Sequence, residues 1–253
     1  HSRCHGPGLG SQTSQPFGRA GAKGIYRDTR ADDIAAEVLK GLLARNPHIP
    51  LDAIDDVAVA ATTHEGDQGL TLGRTVGLLA GLPTSVPGFA IDRMCAGAMT
   101  SMTTLGAGIG FGQIDLAIAG GVEHMGRHPM EFDKKANPAL FEMGIFTDDS
   151  LFMGRTAENL HDQLPAITKE RSDEFALQSQ QRAWAAYEDG GPQHDLVTIS
   201  TVNGVADRDE QLRPGTTLEG LATLNPPFRE DGRVTAGNAS PLTDGATMSI
   251  LAG

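Results

Sequence analysis

Cys95 lies where a short apolar stretch, Ser85-Val86-Pro87-Gly88-Phe89-Ala90-Ile91, gives way through Asp92-Arg93-Met94 to the small residues Ala96-Gly97-Ala98 and then Met99-Thr100-Ser101-Met102. That pattern predicts a strand, a tight turn and a helix, with the cysteine at the turn. A thiol in the first turn of a helix faces unpaired N–H groups and the positive end of the helix dipole, and both favour its ionised, nucleophilic form. The same N–H groups could hold the oxyanion formed when the thiolate attacks a carbonyl. Small neighbours leave room for a substrate to approach the backbone. Taken alone, the local pattern favours a cysteine that is only a small buried hydrophobe.

Other residues that could do chemistry are sparse. His1, Cys4 and His5 imitate a metal group within a breaker-rich start, and His124 and His128 stand four apart with no third ligand in view, so no metal site is expected. The two cysteines, Cys4 and Cys95, form no disulfide framework. A formal net charge of −12 argues against nucleic acid, which is held by clustered Lys and Arg. No apolar run approaches the ~20 residues that span a bilayer, and no signal-peptide pattern opens the chain, which leads us to expect a cytoplasmic protein.

The elements that must position Cys95 follow an α/β alternation. A helix is expected from Arg30, with Ile34, Val38, Leu39, Leu42 and Leu43 on one face and Asp32 and Asp33 in its first turn; Pro47 and Pro50 end it. A strand follows over Asp56 to Thr62. Leu72 to Ala80 reads as a helix with Leu72, Val76, Leu79 and Ala80 inward. After the Cys95 turn the helix runs to about Gly112, and Ile114 to Ala119 is a further strand. Residues 126–231 are longer, more polar and more acidic, and read as an inserted domain in an α/β domain made of 16–125 and 232–253. Within the insert, Thr156 is expected to cap a helix to Gln163, and a long helix runs from Lys169 to Asp189, closed by Gly190-Gly191, with Phe175 and Trp184 as packing residues. Residues 1–15 carry no periodicity and read as a disordered or atypical start.

Asp92-Arg93-Met94-Cys95-Ala96-Gly97-Ala98 resembles the nucleophile signature of the thiolase family. Gly120-Gly121-Val122-Glu123-His124-Met125-Gly126 and Val234-Thr235-Ala236-Gly237-Asn238-Ala239-Ser240-Pro241-Leu242-Thr243-Asp244-Gly245-Ala246 resemble the same family in the same order. With Glu210-Gln211-Leu212-Arg213-Pro214 they look most like the 3-ketoacyl-CoA thiolases of bacterial fatty-acid β-oxidation. The resemblance implies one half of a thiolase-like layered fold, a mixed sheet with buried and covering helices plus an α-rich loop domain. It implies an acyltransferase whose Cys95 cleaves a 3-ketoacyl-CoA with coenzyme A as co-substrate and no permanently bound cofactor. It also implies that Arg213 lies near the nucleotide end of coenzyme A, that Phe228, Ala236 and Ser240 line its pantetheine tunnel, and that Met153 lies beside the acyl pocket. Gly220 stands where many members have a serine, and Asp92 where the usual residue is asparagine. Coenzyme A is an anion, and Arg213, Arg229 and Arg233, with Arg208 nearby, are the candidate bases to meet it.

The family's second half supplies a Gly-His-Pro histidine that activates the nucleophile and a Cys-x-Gly-x-Gly cysteine that acts as acid and base. Neither motif occurs in the 253 residues. Two readings follow: an N-terminal thiolase half with little turnover of its own, or a non-catalytic acyl-CoA-binding or assembly protein of the same fold. The resemblance further implies a homo-oligomer, and for β-oxidation types a hydratase/dehydrogenase subunit as partner. Exposed apolar area predicts self-association.

Overall fold

The computed structural model describes residues 8–130 and 136–253; His1, Cys4 and His5 lie outside them. The chain divides into two compact units. One holds the described residues up to Pro129 with Pro192–Gln211 and Leu242–Gly253, and the other holds Met130–Gly191 with Leu212–Pro241.

The first unit contains β1 (Gly8–Ser14), β2 (Gly18–Arg19), α1 (Ala31–Arg45), β3 (Asp56–Ala60), α2 (Leu72–Leu79), β4 (Phe89–Ile91), α3 (Gly97–Gly110), β5 (Leu116–His124), β6 (Ile199–Thr201), β7 (Gly204–Ala206) and β8 (Thr243–Ala252). Its mixed six-stranded sheet has the order β1-β8-β5-β3-β4, with β2 also on β8. β3 runs parallel to β4 and β5, while β8 runs antiparallel to β5 and β1.

Alternation along the strands sorts the core into two layers. Val57, Val59, Ile118, Val122, Ala246, Met248 and Ile250 face one way and meet Ile34, Val38, Leu39 and Leu42 of α1 with Leu72 and Val76 of α2. Ala58, Ala117, Ala119 and Leu251 face the other way and meet Leu105 and Ile109 of α3. Each such aliphatic side chain contributes about 1.5–3 kcal/mol when removed from water. Leu79, expected to point inward, is 43% exposed, because α2 ends there and turns through Gly81.

Two expectations about the chain's organisation differ from what forms. Gly8–Ser14, read as disordered, is a strand paired with β8 from Gly8↔Ala252 to Ser14↔Thr247. Its backbone completes a ladder on the β8 edge, which asks for hydrogen bonds rather than apolar side chains. The next residue, Gln15, is buried and accepts the Ala246 N–H at 2.7 Å. Residues 192–211, read as part of the insert, belong to the first unit: Ile199 and Ala206 of the β6–β7 hairpin are buried in its apolar core, and the Glu210 carboxylate accepts the Arg19 and Ile25 N–H groups at 2.6 and 3.0 Å.

The second unit holds α4 (Pro138–Glu142), α5 (Met153–Gln163), α6 (Lys169–Glu188) and α7 (Leu218–Ala222). Thr168 caps α6 by accepting the Arg171 N–H at 3.3 Å, and Gly190, at φ +75°, closes it. Thr156 is not a cap. It lies inside α5, whose N-cap is Phe152, and its hydroxyl donates to the Phe152 carbonyl at 3.2 Å. Phe175 is 73% exposed rather than packed. Among the described residues no helix is long and apolar enough to cross a membrane, and no group of three or more His, Cys, Asp or Glu could hold a metal.

Candidate functional site

Cys95 stands on a single turn of 3-10 helix, Met94–Ala96, between the end of β4 and the start of α3, and it is exposed. The buried-hydrophobe alternative does not hold. The turn is tight because Met94 adopts φ +47°, a left-handed conformation that costs a non-glycine residue about 1–2 kcal/mol. With the chain turned this way, the Ala96 N–H donates to the Arg93 carbonyl at 3.1 Å and the Gly97 N–H donates to Met94, while the Cys95 N–H has no partner among the described residues. An open N–H at the head of a 14-residue helix is the donor an oxyanion needs.

The sheet fixes where that turn sits. Gly97 lets α3 lie directly on β3, since a Cβ there would come 2.6 Å from the Ala60 Cβ. His64 Nε2 lies 2.9 Å from the Ile91 carbonyl, and the Ala61 N–H donates to the same oxygen at 3.3 Å, tying the end of β4 to the loop after β3. The Glu123 carboxylate in turn accepts the Thr62 N–H at 2.6 Å and Gln68 Nε2 at 2.9 Å, and Gln68 Oε1 accepts the His124 N–H at 2.7 Å. The sequence reading missed His64, Gln68 and Glu123 as supports of the cysteine turn. Only Glu123, within the Gly-Gly-Val-Glu-His-Met run, carried a signal.

His124 and His128 do not form a ligand pair. His124 is fully buried, with Nδ1 3.2 Å from Asp244 Oδ1 and Nε2 3.0 Å from the Tyr26 carbonyl. Burial works against its charge, but the hydrogen bond and charge of Asp244, with the Tyr26 carbonyl, outweigh it and raise its pKa. His128 instead bonds the buried Asp67 carboxylate, which also accepts Arg127 Nε at 2.8 Å. Burial alone would raise the Asp67 pKa; His128, the Ala31 N–H and Arg127 together hold it below the usual value.

The six residues that the resemblance assigns to coenzyme A, namely Met153, Arg213, Gly220, Phe228, Ala236 and Ser240, are all exposed and all in the second unit. Two groups are brought together. The Phe228 ring rests on Gly154, where a Cβ would be 2.3 Å from the ring, so Phe228 sits beside Met153 at the start of α5. A relay joins Gly220, Ala236 and Ser240: Lys169 Nζ donates to the Leu221 carbonyl of α7 at 3.0 Å and to Asp173 at 2.6 Å. Asp173 accepts Asn238 Nδ2 at 2.8 Å, and Asn238 Oδ1 accepts the Thr235 N–H at 2.7 Å. Gly220 on α7 and the turn carrying Ala236 and Ser240 are thereby linked. Arg213 stands apart, its N–H donated to Gln180 Oε1 at 2.8 Å.

The candidate arginines for an anion are engaged by the protein: Arg213 Nη1 donates to the Leu212 carbonyl at 3.1 Å, and Arg229 and Arg233 are held within the same unit. Arg229 makes two bonds to Asp162, at 2.7 and 3.0 Å, and Arg233 Nη1 donates to the carbonyls of His161 and Ile167 at 3.1 and 2.7 Å. A cavity of about 250 Å³ lined by Asp149, Arg155, Glu158, Asn159, Phe228 and Arg229 lies beside them.

Comparison with known proteins places these features in context. A sequence model of the thiolase N-terminal domain matches residues 11–253. A 3-ketoacyl-CoA thiolase of Cronobacter sakazakii is 37% identical over 242 residues, covering 93% of this chain and 62% of that protein. The 3-oxoadipyl-CoA/3-oxo-5,6-dehydrosuberyl-CoA thiolase of Escherichia coli is 40% identical over 259 residues, covering 94% and 63%. Among solved structures, the dimeric peroxisomal thiolase of Saccharomyces cerevisiae is similar with a TM-score of 0.86 at 30% identity, covering 100% of this chain and 65% of that one. Human mitochondrial 3-ketoacyl-CoA thiolase in complex with CoA gives 0.85 at 29% identity, covering 99% and 65%. The chain therefore spans a little under two thirds of the length of these relatives.

Proposed function

The chain belongs to the thiolase family, of which it carries the N-terminal domain, and from that premise we propose that Cys95 is the nucleophile of a 3-ketoacyl-CoA thiolase. The observation that carries the reading is the exposed thiol on a left-handed turn at the head of α3, beside an N–H without a partner among the described residues.

The Cys95 thiolate attacks the 3-keto carbon of a 3-ketoacyl-CoA, and the tetrahedral oxyanion is held at the Cys95 N–H. As the carbonyl re-forms, the bond between C2 and C3 breaks; its electron pair leaves on C2 and is protonated to give acetyl-CoA. The acyl group is left as a thioester on Cys95. The sulfur of a fresh coenzyme A then attacks that thioester, releasing the shortened acyl-CoA and the Cys95 thiolate. A base to form the thiolates and an acid to protonate C2 are both needed, and the histidine and cysteine motifs to which the resemblance assigns these tasks are absent from the 253 residues. On this reading the chain alone acylates Cys95 slowly and turns over little.

Coenzyme A engages the second unit through Met153, Phe228, Gly220, Ala236 and Ser240, with Arg213 toward the nucleotide. The yeast relative is dimeric, and homo-oligomerisation belongs to the same reading, as does a hydratase/dehydrogenase partner. The test is intact-mass labelling with acetyl-CoA and with a 3-ketoacyl-CoA. An acyl adduct that is lost in Cys95→Ala supports the nucleophile. An adduct that survives in Cys95→Ala removes it, and coenzyme A binding without any acylation of Cys95 would favour the non-catalytic binding protein instead.

A further inference from the structure

Gly154, Glu158 and Asp162 recur every four residues along α5 and so share one face of the helix. Each grips a different part of the segment from Phe228 to Val234. Gly154 seats the Phe228 ring, and Asp162 holds Arg229 through two bonds. Glu158, 2% exposed, accepts the Val234 N–H at 2.7 Å and the Arg233 N–H on both oxygens, at 2.8 and 3.0 Å. It also faces His161 Nδ1 at 3.3 Å and Arg229 Nη2 at 3.6 Å. Both backbone donors come from the residues just before Thr235 and Ala236. A buried carboxylate that spends its lone pairs on successive backbone N–H groups fixes the position of that backbone, because each bond is directional and the buried Val234 donor has no water as a substitute.

We propose that Glu158 is a positioning residue for coenzyme A: it sets the register of the segment Phe228–Val234 along α5, and through it the exposed surface of Phe228 and Ala236 that meets the pantetheine arm. This rests on the reading that these residues bind coenzyme A. Glu158 touches no substrate in this scheme and acts through the segment it holds. The net effect of its partners is a carboxyl held below its ordinary pKa: burial opposes this, and the Val234 and Arg233 N–H groups, then His161 and Arg229, prevail.

The test measures coenzyme A affinity by calorimetry on the 253-residue chain and on Glu158→Gln, alongside the rate at which iodoacetamide alkylates Cys95 and the hydrogen exchange of the Arg233 and Val234 amides. Glutamine keeps one acceptor but presents an NH2 where Arg233 needs another. The expected result is coenzyme A binding about tenfold weaker, faster exchange at those two amides, and an unchanged alkylation rate. Should Glu158→Gln not fold, Asp162→Asn carries the test, since Asp162 is more than half exposed; about threefold weaker binding supports the proposal and unchanged binding overturns it. Wild-type protein that binds no coenzyme A overturns the underlying reading and the proposal with it. Wild-type binding that Glu158→Gln leaves within twofold overturns the proposal alone.

Discussion

In the first unit the sheet core is apolar on both faces, from Val57, Ile118 and Met248 against α1 to Ala117 and Leu251 against α3. Its buried His124–Asp244 pair sits where β5 ends and β8 begins. In the second unit the buried apolar residues among those described are Tyr187, Leu221 and Val234, and they are accompanied by Glu158, His161, Asp173 and Thr235. Apolar burial is strong but has no direction, so it holds elements together without fixing where a loop lies. The first unit obtains its precision from strand register, which is what delivers Cys95 to the head of α3. The second has loops in place of a large sheet, and charged hydrogen bonds take over the task of register. The Cys95 turn is thus placed by a ladder and braced by His64, Gln68 and Glu123, whereas the segment from Phe228 to Val234 is held throughout by side chains that aim.

The comparison breaks most easily at its largest effect. Ile118 is fully buried at the centre of the sheet, paired with Val57 on one side and Ile250 on the other. Ile118→Ala should cost about 2–5 kcal/mol in urea denaturation, the range for large-to-small changes in a close-packed core. A cost below 1 kcal/mol would mean that the apolar layers do not carry the first unit. Asp173→Ala is the counterpart in the second unit. It removes the carboxylate acceptor of Lys169 Nζ and Asn238 Nδ2, both within 2.8 Å of it, leaving each with one backbone carbonyl, and should cost about 1–3 kcal/mol. Hydrogen exchange locates the damage: amides of α6 and the 235–240 turn lose protection while those of β5 and β8 keep it. Equal loss in both would remove the distinction between the units.

How much of this could be read from the sequence depends on how local its cause is. The strand, turn and helix around Cys95 were legible because the whole signal lies within residues 85–102, and α1 was legible because Ile34, Val38, Leu39 and Leu42 repeat at helical spacing. β1 was not, because what makes Gly8–Ser14 a strand is the open edge of β8, more than two hundred residues away. The left-handed turn at Met94 was hidden, since methionine has no preference for that conformation and the surrounding sheet imposes it. Among the residues that the resemblance assigns to coenzyme A, the grouping of Met153 with Phe228 was signalled only by Gly154. Glu158 was missed because a glutamate on a helix reads as a solvated charge. Its spacing from Gly154 and Asp162 was visible, but the backbone it serves was not.

The finest contrast between the units is the pH at which each loses stability. His124 has a pKa raised above its ordinary 6.5, so the folded protein holds that proton more tightly than the unfolded chain. Its contribution is complete below the ordinary value and disappears as pH rises through the folded one. Glu158 is lowered from its ordinary 4.5, and its contribution has the opposite sense: complete above that value and lost as pH falls through the folded one. Asp67 is lowered too, so the first unit also weakens in acid, and the acid limb cannot separate the two. The alkaline limb can, because the raised histidine lies in β5. Between pH 6 and pH 9, exchange protection corrected for intrinsic rates should fall in β5 and β8 and hold steady in α5, and Asp244→Asn should abolish the fall. A matching decline in α5, or a decline that survives Asp244→Asn, would show that the alkaline limb does not come from the buried His124–Asp244 pair.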